Sequence, residues 1–363
     1  MVFCERCFCD TEVISVIRSK AKIGECPLCH SKNVHIYDTA KYKDLSILFD
    51  DLLSIYTPVS QLPASYPKSE TSLLKSELIN SWNIFNKRSE SDVYNIIIAI
   101  CKEKYEYNAE LFDQPVGIQE LYDESYLMKH SLLTTNSWDD FVNVLKTKNR
   151  FHTRYIDVNL LERFCSYVRK PYKAGTAFYR CRISSEDGII GKEMGAPPVQ
   201  KTTDGRANAR GIRCLYLGNI AETTIYETRA GAYDYVTVGK FELKKDIIVV
   251  DLKKINQISP FIEGLDCLEC AINKAHLNKI NDEMGKVMRR SDSALDYLPT
   301  QYIADFVKSI VHDGLPEYAG IEYKSVMYSE GYNLAVFNPD LFECIGTDVY
   351  RIDTIHYNKH ILE

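Results

Sequence analysis

Three absences narrow what this chain can be. No uninterrupted apolar run approaches the roughly 20 residues that a membrane-spanning helix needs. The N-terminus, Met1 to Cys7, lacks the apolar core of a secretory signal, so a cytoplasmic protein with no membrane partner is expected. Positive charge is not in excess either. Lysine and arginine number 44 against 50 acidic residues, a formal net charge of -6. That balance argues against a general nucleic-acid coat. What remains is an ordinary globular composition, spread over 363 residues. That length exceeds one typical domain of about 100–200 residues, so two or three modules are expected.

Cysteine is the first residue type to stand out. Of twelve cysteines, five fall within the first 29 residues and the rest are scattered, which fits a reduced compartment and one metal site better than disulfides. Cys4 and Cys7, then Cys26 and Cys29, have the spacing of a four-thiolate zinc ribbon over residues 1–37. The spacer carrying Val13, Ile14, Val16 and Ile17 suits a hairpin between the two knuckles, and Cys9 and His30 are reserve ligands. So small a segment needs its metal to fold. A complete thiolate shell leaves no position for a substrate, so a zinc here is structural; an iron site of similar geometry is the competing assignment, and free cysteines are the plain one.

Residues 38–170 read as helical. Apolar residues recur at helical spacing around Leu45 to Leu53, Leu73 to Phe85 and Val93 to Ile98. Ser89 with Asp92, and Ser137 with Asp140, have the spacing of capping boxes. No acid, base and nucleophile converge in this stretch. After Pro171 strands appear, at Phe178–Ile183, Tyr235–Leu243, Ile247–Val250, Gly320–Val326 and Asn333–Phe337. Helical stretches near 266–289 and 294–312 lie among them. Strands and helices without regular alternation predict an α+β domain over 171–345, with a terminal strand and tail over 346–363.

The stretch from Gly205 to Glu227 concentrates the chemistry. Arg206 lies in a loop between Gly205 and Gly211, Tyr216 on the short apolar run Cys214 to Leu217, and Glu227 on a short helix. A guanidinium can grip a phosphate with two donors, and a tyrosine can stack and hydrogen-bond. A carboxylate can stabilise a developing cation. Taken singly, each is as well explained by a loop arginine, a core tyrosine or a surface glutamate. Glu222 is the nearest rival to Glu227, but at about 100° per residue it lies well round the helix. Cys267, Cys270 and His276 hint at a second metal but read better as buried thiols on a helix.

Order and spacing carry more weight than any one residue. Tyr179 and Arg180, Gly205 and Arg206, Tyr216, Ala221 to Glu227, and Gly320 to Ser325 occur in the sequence and order of the RES domain, which 171–345 resembles. Tyr332 to Phe337 is similar to that family's closing strand. The resemblance implies an ADP-ribosyltransferase-like mixed sheet that binds and breaks down NAD+, commonly as the toxin of a toxin–antitoxin pair. It implies Arg206, Tyr216, Glu227 and Ser325 as site residues, with Arg180 joining Arg206, Tyr216 and Ser325 in holding NAD+. The expected reaction is cleavage of the nicotinamide–ribose bond by a glycohydrolase or phosphorylase. Transfer of ADP-ribose to a macromolecule is the enzymatic alternative, and an inactive zinc-ribbon module for nucleic acid or protein is the non-enzymatic one. The preceding modules depart from the family's usual size. They leave open an antitoxin, a regulatory protein or a homo-oligomer as partner.

Overall fold

The computed structural model describes residues 1–288 and 293–355. The far ends of the expected 266–289 helix and of the 346–363 tail lie outside the described residues. The chain divides into two compact units, Met1–Thr135 with Gln257–Ala275, and Asn136–Asn256 with His276–Glu363. Among the described residues no helix is long and apolar enough to cross a membrane.

In the first unit, strands Val2–Cys4, Ile23–Gly24 and Val34–Asp38 form a small antiparallel sheet. The segment between the cysteine pairs corrects the expected hairpin: Thr11–Ser19 is a helix. Asp10 caps it by accepting from the backbone N–H of Glu12 and Val13 at 2.9 and 3.0 Å. Val13 and Ile17, one turn apart, are both fully buried, so the apolar residues follow a helical period rather than an alternating one. The predicted capping boxes at Ser89 and Ser137 are both present. The pattern from Leu73 to Phe85 is only partly helical, ending at Asn80, after which Phe8 and Phe85 pair as an isolated bridge. One core runs from Phe3 through Phe49, Trp82 and Ile97 to Phe112, and also takes in Phe261, Cys267 and Cys270.

The second unit is built on an eight-stranded mixed sheet. Its strands, numbered in chain order, are β1 Arg169–Tyr172, β2 Ala177–Ser184, β3 Leu215–Gly218, β4 Tyr235–Leu243, β5 Ile247–Asp251, β6 Gly320–Lys324, β7 Tyr332–Val336 and β8 Phe342–Arg351. Across the sheet they run β8-β4-β2-β3-β7-β6-β5-β1. β5 and β6 pair parallel and the other neighbours antiparallel, which confirms the expected α+β class. Helix α1, Ala221–Thr228, follows β3 directly. Gly218 makes that turn tight: a Cβ there would meet the Thr224 methyl at 2.6 Å. Helix α2, Cys267–Met284, contributes residues to both units, and α3 is Leu298–Ser309. On the sheet, Phe178, Leu217, Phe241, Val249, Leu334 and Val336 pack into one core group.

Candidate active site

The loop that carries Arg206 is held from two sides. Gly205 and Asn208 pair as a bridge, and the side-chain amide of Gln301 on α3 donates to both of their carbonyls, at 3.0 and 2.8 Å. From β3, the Tyr216 hydroxyl donates to Asn208 Oδ1 at 2.6 Å and accepts from the Ala207 N–H at 3.0 Å. A Cβ on Gly205 would come within 2.6 Å of that hydroxyl, so the glycine serves this internal contact. Burial, with Cys214 and Tyr323 alongside, pushes the Tyr216 hydroxyl well above its ordinary range. Tyr216 therefore stays protonated and acts as a fixed donor within the protein.

The Arg206 guanidinium turns toward the end of α2. It donates from Nη1 to the Glu283 carbonyl at 2.8 Å and from Nη2 to the Lys286 carbonyl at 2.6 Å, and lies 5.8 Å from the centre of the Tyr323 ring. A cation suits the carbonyl end of a helix, where the partial charge is negative. Tyr323, on β6, is buried, which raises its hydroxyl and keeps it neutral.

Glu227 sits in the last turn of α1, and its Oε1 collects two donors, one from just after β6 and one from β7. The Ser325 hydroxyl donates at 2.6 Å and the Asn333 amide at 2.9 Å. Ser325 is itself fixed, receiving the Tyr328 N–H at 3.2 Å and donating its own N–H to the Gly331 carbonyl at 3.0 Å. Among the described residues no hydrogen bond reaches Oε2. One carboxylate oxygen is thus anchored while the other is available to a ligand. Glu222, in the first turn of the same helix, is exposed and takes no part.

Arg180, Tyr216, Gly218, Glu227, Tyr323 and Asn333 line a cleft of about 260 Å³. Arg180 reaches it from β2, donating from Nη1 to the Tyr216 carbonyl at 3.2 Å, while its buried Nε has no partner among the described residues. Burial and the neighbouring Arg182 lower its pKa to about 10, which leaves it charged at neutral pH. The cleft thus holds a poorly solvated cation and a carboxylate with a free oxygen. Of the residues singled out from sequence, Arg180, Tyr216 and Glu227 meet in its wall. Ser325 stands behind Glu227, and Arg206 stands behind Tyr323.

Asn333 and Tyr323 do not stand out in the sequence. An asparagine inside the apolar strand Tyr332 to Val336 is nonetheless a usable signal, because a buried amide needs partners. Asn208 and Gln301 carry no such signal.

Four thiols gather in the first unit. The Sγ atoms of Cys4, Cys7, Cys26 and Cys29 all lie within 4.8 Å of one another, with separations of 3.9, 3.4 and 3.8 Å for Cys4–Cys7, Cys4–Cys29 and Cys7–Cys26. Metal–sulfur bonds of about 2.3 Å in a tetrahedron put sulfurs about 3.8 Å apart, so this set can hold one metal ion. Cys9 is exposed and, like His30, outside the cluster. Cys267 and Cys270 are buried thiols and join no metal-binding group among the described residues.

A family model for the RES domain matches residues 177–355, so this segment, which contains the whole cleft, is a RES domain. That family is associated with NAD+-related toxin function. No curated protein and no solved structure matches the chain.

Proposed function

We propose that the chain consumes NAD+ by cleaving the bond between nicotinamide and ribose, as a glycohydrolase or phosphorylase, and acts as a growth-arresting toxin or defence effector. The catalytic domain is 171–345 in this reading. The observation that carries it is the Glu227 carboxylate, with Oε1 tied to Ser325 and Asn333 and Oε2 without a hydrogen bond among the described residues, in a cleft that also presents Arg180.

Breaking this bond gives the ribose C1″ oxocarbenium character, while nicotinamide departs as a neutral ring because its nitrogen starts out positive. A strong general acid is therefore unnecessary, in keeping with a cleft lined by neither histidine nor an ionised thiol. Burial pushes the one lining thiol, Cys181, up to about 11. A pre-positioned carboxylate stabilises the developing cation without reorganising at the moment of reaction. Ser325 and Asn333 supply that positioning. Water or phosphate then takes C1″, releasing ADP-ribose or its 1″-phosphate.

The four-thiolate cluster fits zinc best, and we assign it a structural role in the first unit, with no step of the reaction passing through it. Incubating the full chain with NAD+ and quantifying nicotinamide tests the proposal. Release that depends on Glu227 supports it; no release at any protein concentration refutes it.

A further inference from the structure

We propose that Arg180, rather than Arg206, meets the phosphate of the substrate, and that Arg206 is a positioning residue that holds the turn after α2 against Tyr323. The assignment rests on the NAD+ reading above and divides two arginines that sequence alone treats alike.

The guanidinium of Arg206 is already engaged. Two of its N–H groups point at backbone carbonyls of Glu283 and Lys286, and its face lies over Tyr323. Arg229 adds a second cation to the same segment by donating from Nη2 to the Met288 carbonyl at 2.7 Å. Arg229 follows α1 in the left-handed region, at φ 51°. Two arginines thus fasten 283–288, one from the Gly205 loop and one from the end of the helix that bears Glu227. To turn those two N–H groups onto a phosphate, Arg206 would have to abandon both carbonyls and leave them without those donors.

Arg180 is in the opposite situation. It lines the cleft with Glu227, uses one N–H on the Tyr216 carbonyl, and keeps a buried Nε that has no partner among the described residues. A desolvated cation with unused donors gains most from an incoming anion, because little water has to be displaced and the surrounding dielectric is low. The cleft, at about 260 Å³, has room for a pentose and its attached phosphate rather than a whole dinucleotide. A ribose with C1″ at Glu227 and its own 5″-phosphate at Arg180 fills it with both charges answered. Arg206 then acts indirectly, by keeping Tyr323 and the 283–286 turn in place as the wall beside that ribose.

The test compares Arg180→Gln and Arg206→Gln in the full chain. Calorimetric titration with ADP-ribose reads phosphate binding directly. Kinetics with NAD+ and with nicotinamide riboside, which has the scissile bond but no phosphate, read it through catalysis. Arg180→Gln is expected to weaken ADP-ribose about tenfold to a hundredfold, the loss of one charge-assisted contact, and to lower the ratio of kcat/KM for NAD+ over nicotinamide riboside by a similar factor. In Arg206→Gln that ratio holds while kcat falls for both substrates, and Arg206→Lys recovers part of kcat by reaching one carbonyl. The assignment is overturned if Arg206→Gln loses ADP-ribose with its melting temperature intact, or if Arg180→Gln binds ADP-ribose as the wild type does. Arg180-dependent ADP-ribose binding without nicotinamide release would uphold the assignment and sink the cleavage reading instead. A wild type that does not bind ADP-ribose would overturn the assignment.

Discussion

Replacing Glu227 by glutamine isolates the charge of the carboxylate from its packing. In the folded protein both anchoring donors, Ser325 Oγ and Asn333 Nδ2, point at Oε1. A glutamine carbonyl can accept from both, placing its NH2 where Oε2 stood. The side chain therefore keeps its position, and the expected change in stability is under about 1 kcal/mol, the size of one net hydrogen bond. Catalysis should respond very differently. The oxygen facing C1″ is replaced by a donor with no negative charge, and removing one pre-organised electrostatic partner of a transition state costs about 2.7–4 kcal/mol, or 10²–10³ in kcat. Because the substrate's ribose carries little positive charge before the bond stretches, KM should move much less than kcat. Single-turnover nicotinamide release, measured beside thermal unfolding, gives both numbers. A variant that retains more than about a tenth of wild-type kcat would refute the assignment of Glu227 as the group that stabilises the cation. A variant that unfolds would show instead that the Ser325–Asn333 anchor needs the charge.

Other consequences can be checked alongside. Ser325→Ala frees Glu227 Oε1 from one of its two donors and should lower kcat by roughly tenfold, less than Glu227→Gln, with nicotinamide release as the readout. Gly205→Ala drives a methyl into the Tyr216 hydroxyl and Asn208 Oδ1, at 2.6 and 2.7 Å from the new carbon. It should cost about 1–3 kcal/mol in chemical denaturation. Chelation should strip one metal per chain and melt the first unit's small sheet, seen by metal analysis and circular dichroism. Cys26→Ser should do the same without chelator. Lys274 is half-buried, its ammonium over the Trp82 ring at 3.6 Å, and desolvation lowers its pKa from 10.5 to about 8. Below pH 8 the lysine is protonated folded and unfolded alike, and its burial penalty is present in full. Between pH 8 and 10.5 only the unfolded chain holds that proton, so the lysine's own contribution to stability rises with pH. Lys274→Met should abolish that rise, by an amount on the order of 3 kcal/mol. A variant whose unfolding free energy keeps the wild-type pH slope would contradict burial of Lys274 as its cause.

Much of the architecture could be read along the chain because it is written in local rules. The capping boxes at Ser89 and Ser137 are three-residue signals, and β4 and β5 are β-branched, apolar runs. The helix Thr11–Ser19 is harder to read because Val13, Ile14, Val16 and Ile17 suit either a strand or a helix face. The cap from Asp10 and the burial of Val13 with Ile17 decide it. Arg206 shows the opposite limit. As a guanidinium between glycines it has the composition of a phosphate grip, yet its partners lie 77 and 80 residues away on the end of α2. No local pattern encodes a contact of that range.

The sequence by itself determined the chemistry available: four thiolates at metal spacing, and an arginine, a tyrosine, a glutamate and a serine in the order of the RES family. Covalent spacing and residue type are properties of the chain and survive without a fold. Tertiary structure decided which of those groups face a ligand. The pairing of β3 with β7 and of β7 with β6 brings Tyr216, Asn333 and Tyr323 to one cleft, and α1 delivers Glu227 onto Ser325 and Asn333. Hydrogen-bonding capacity is finite, so the two engaged N–H groups of Arg206 and the hydroxyl of Tyr216 are withdrawn from the substrate. Arg180 and one oxygen of Glu227 are left to meet it.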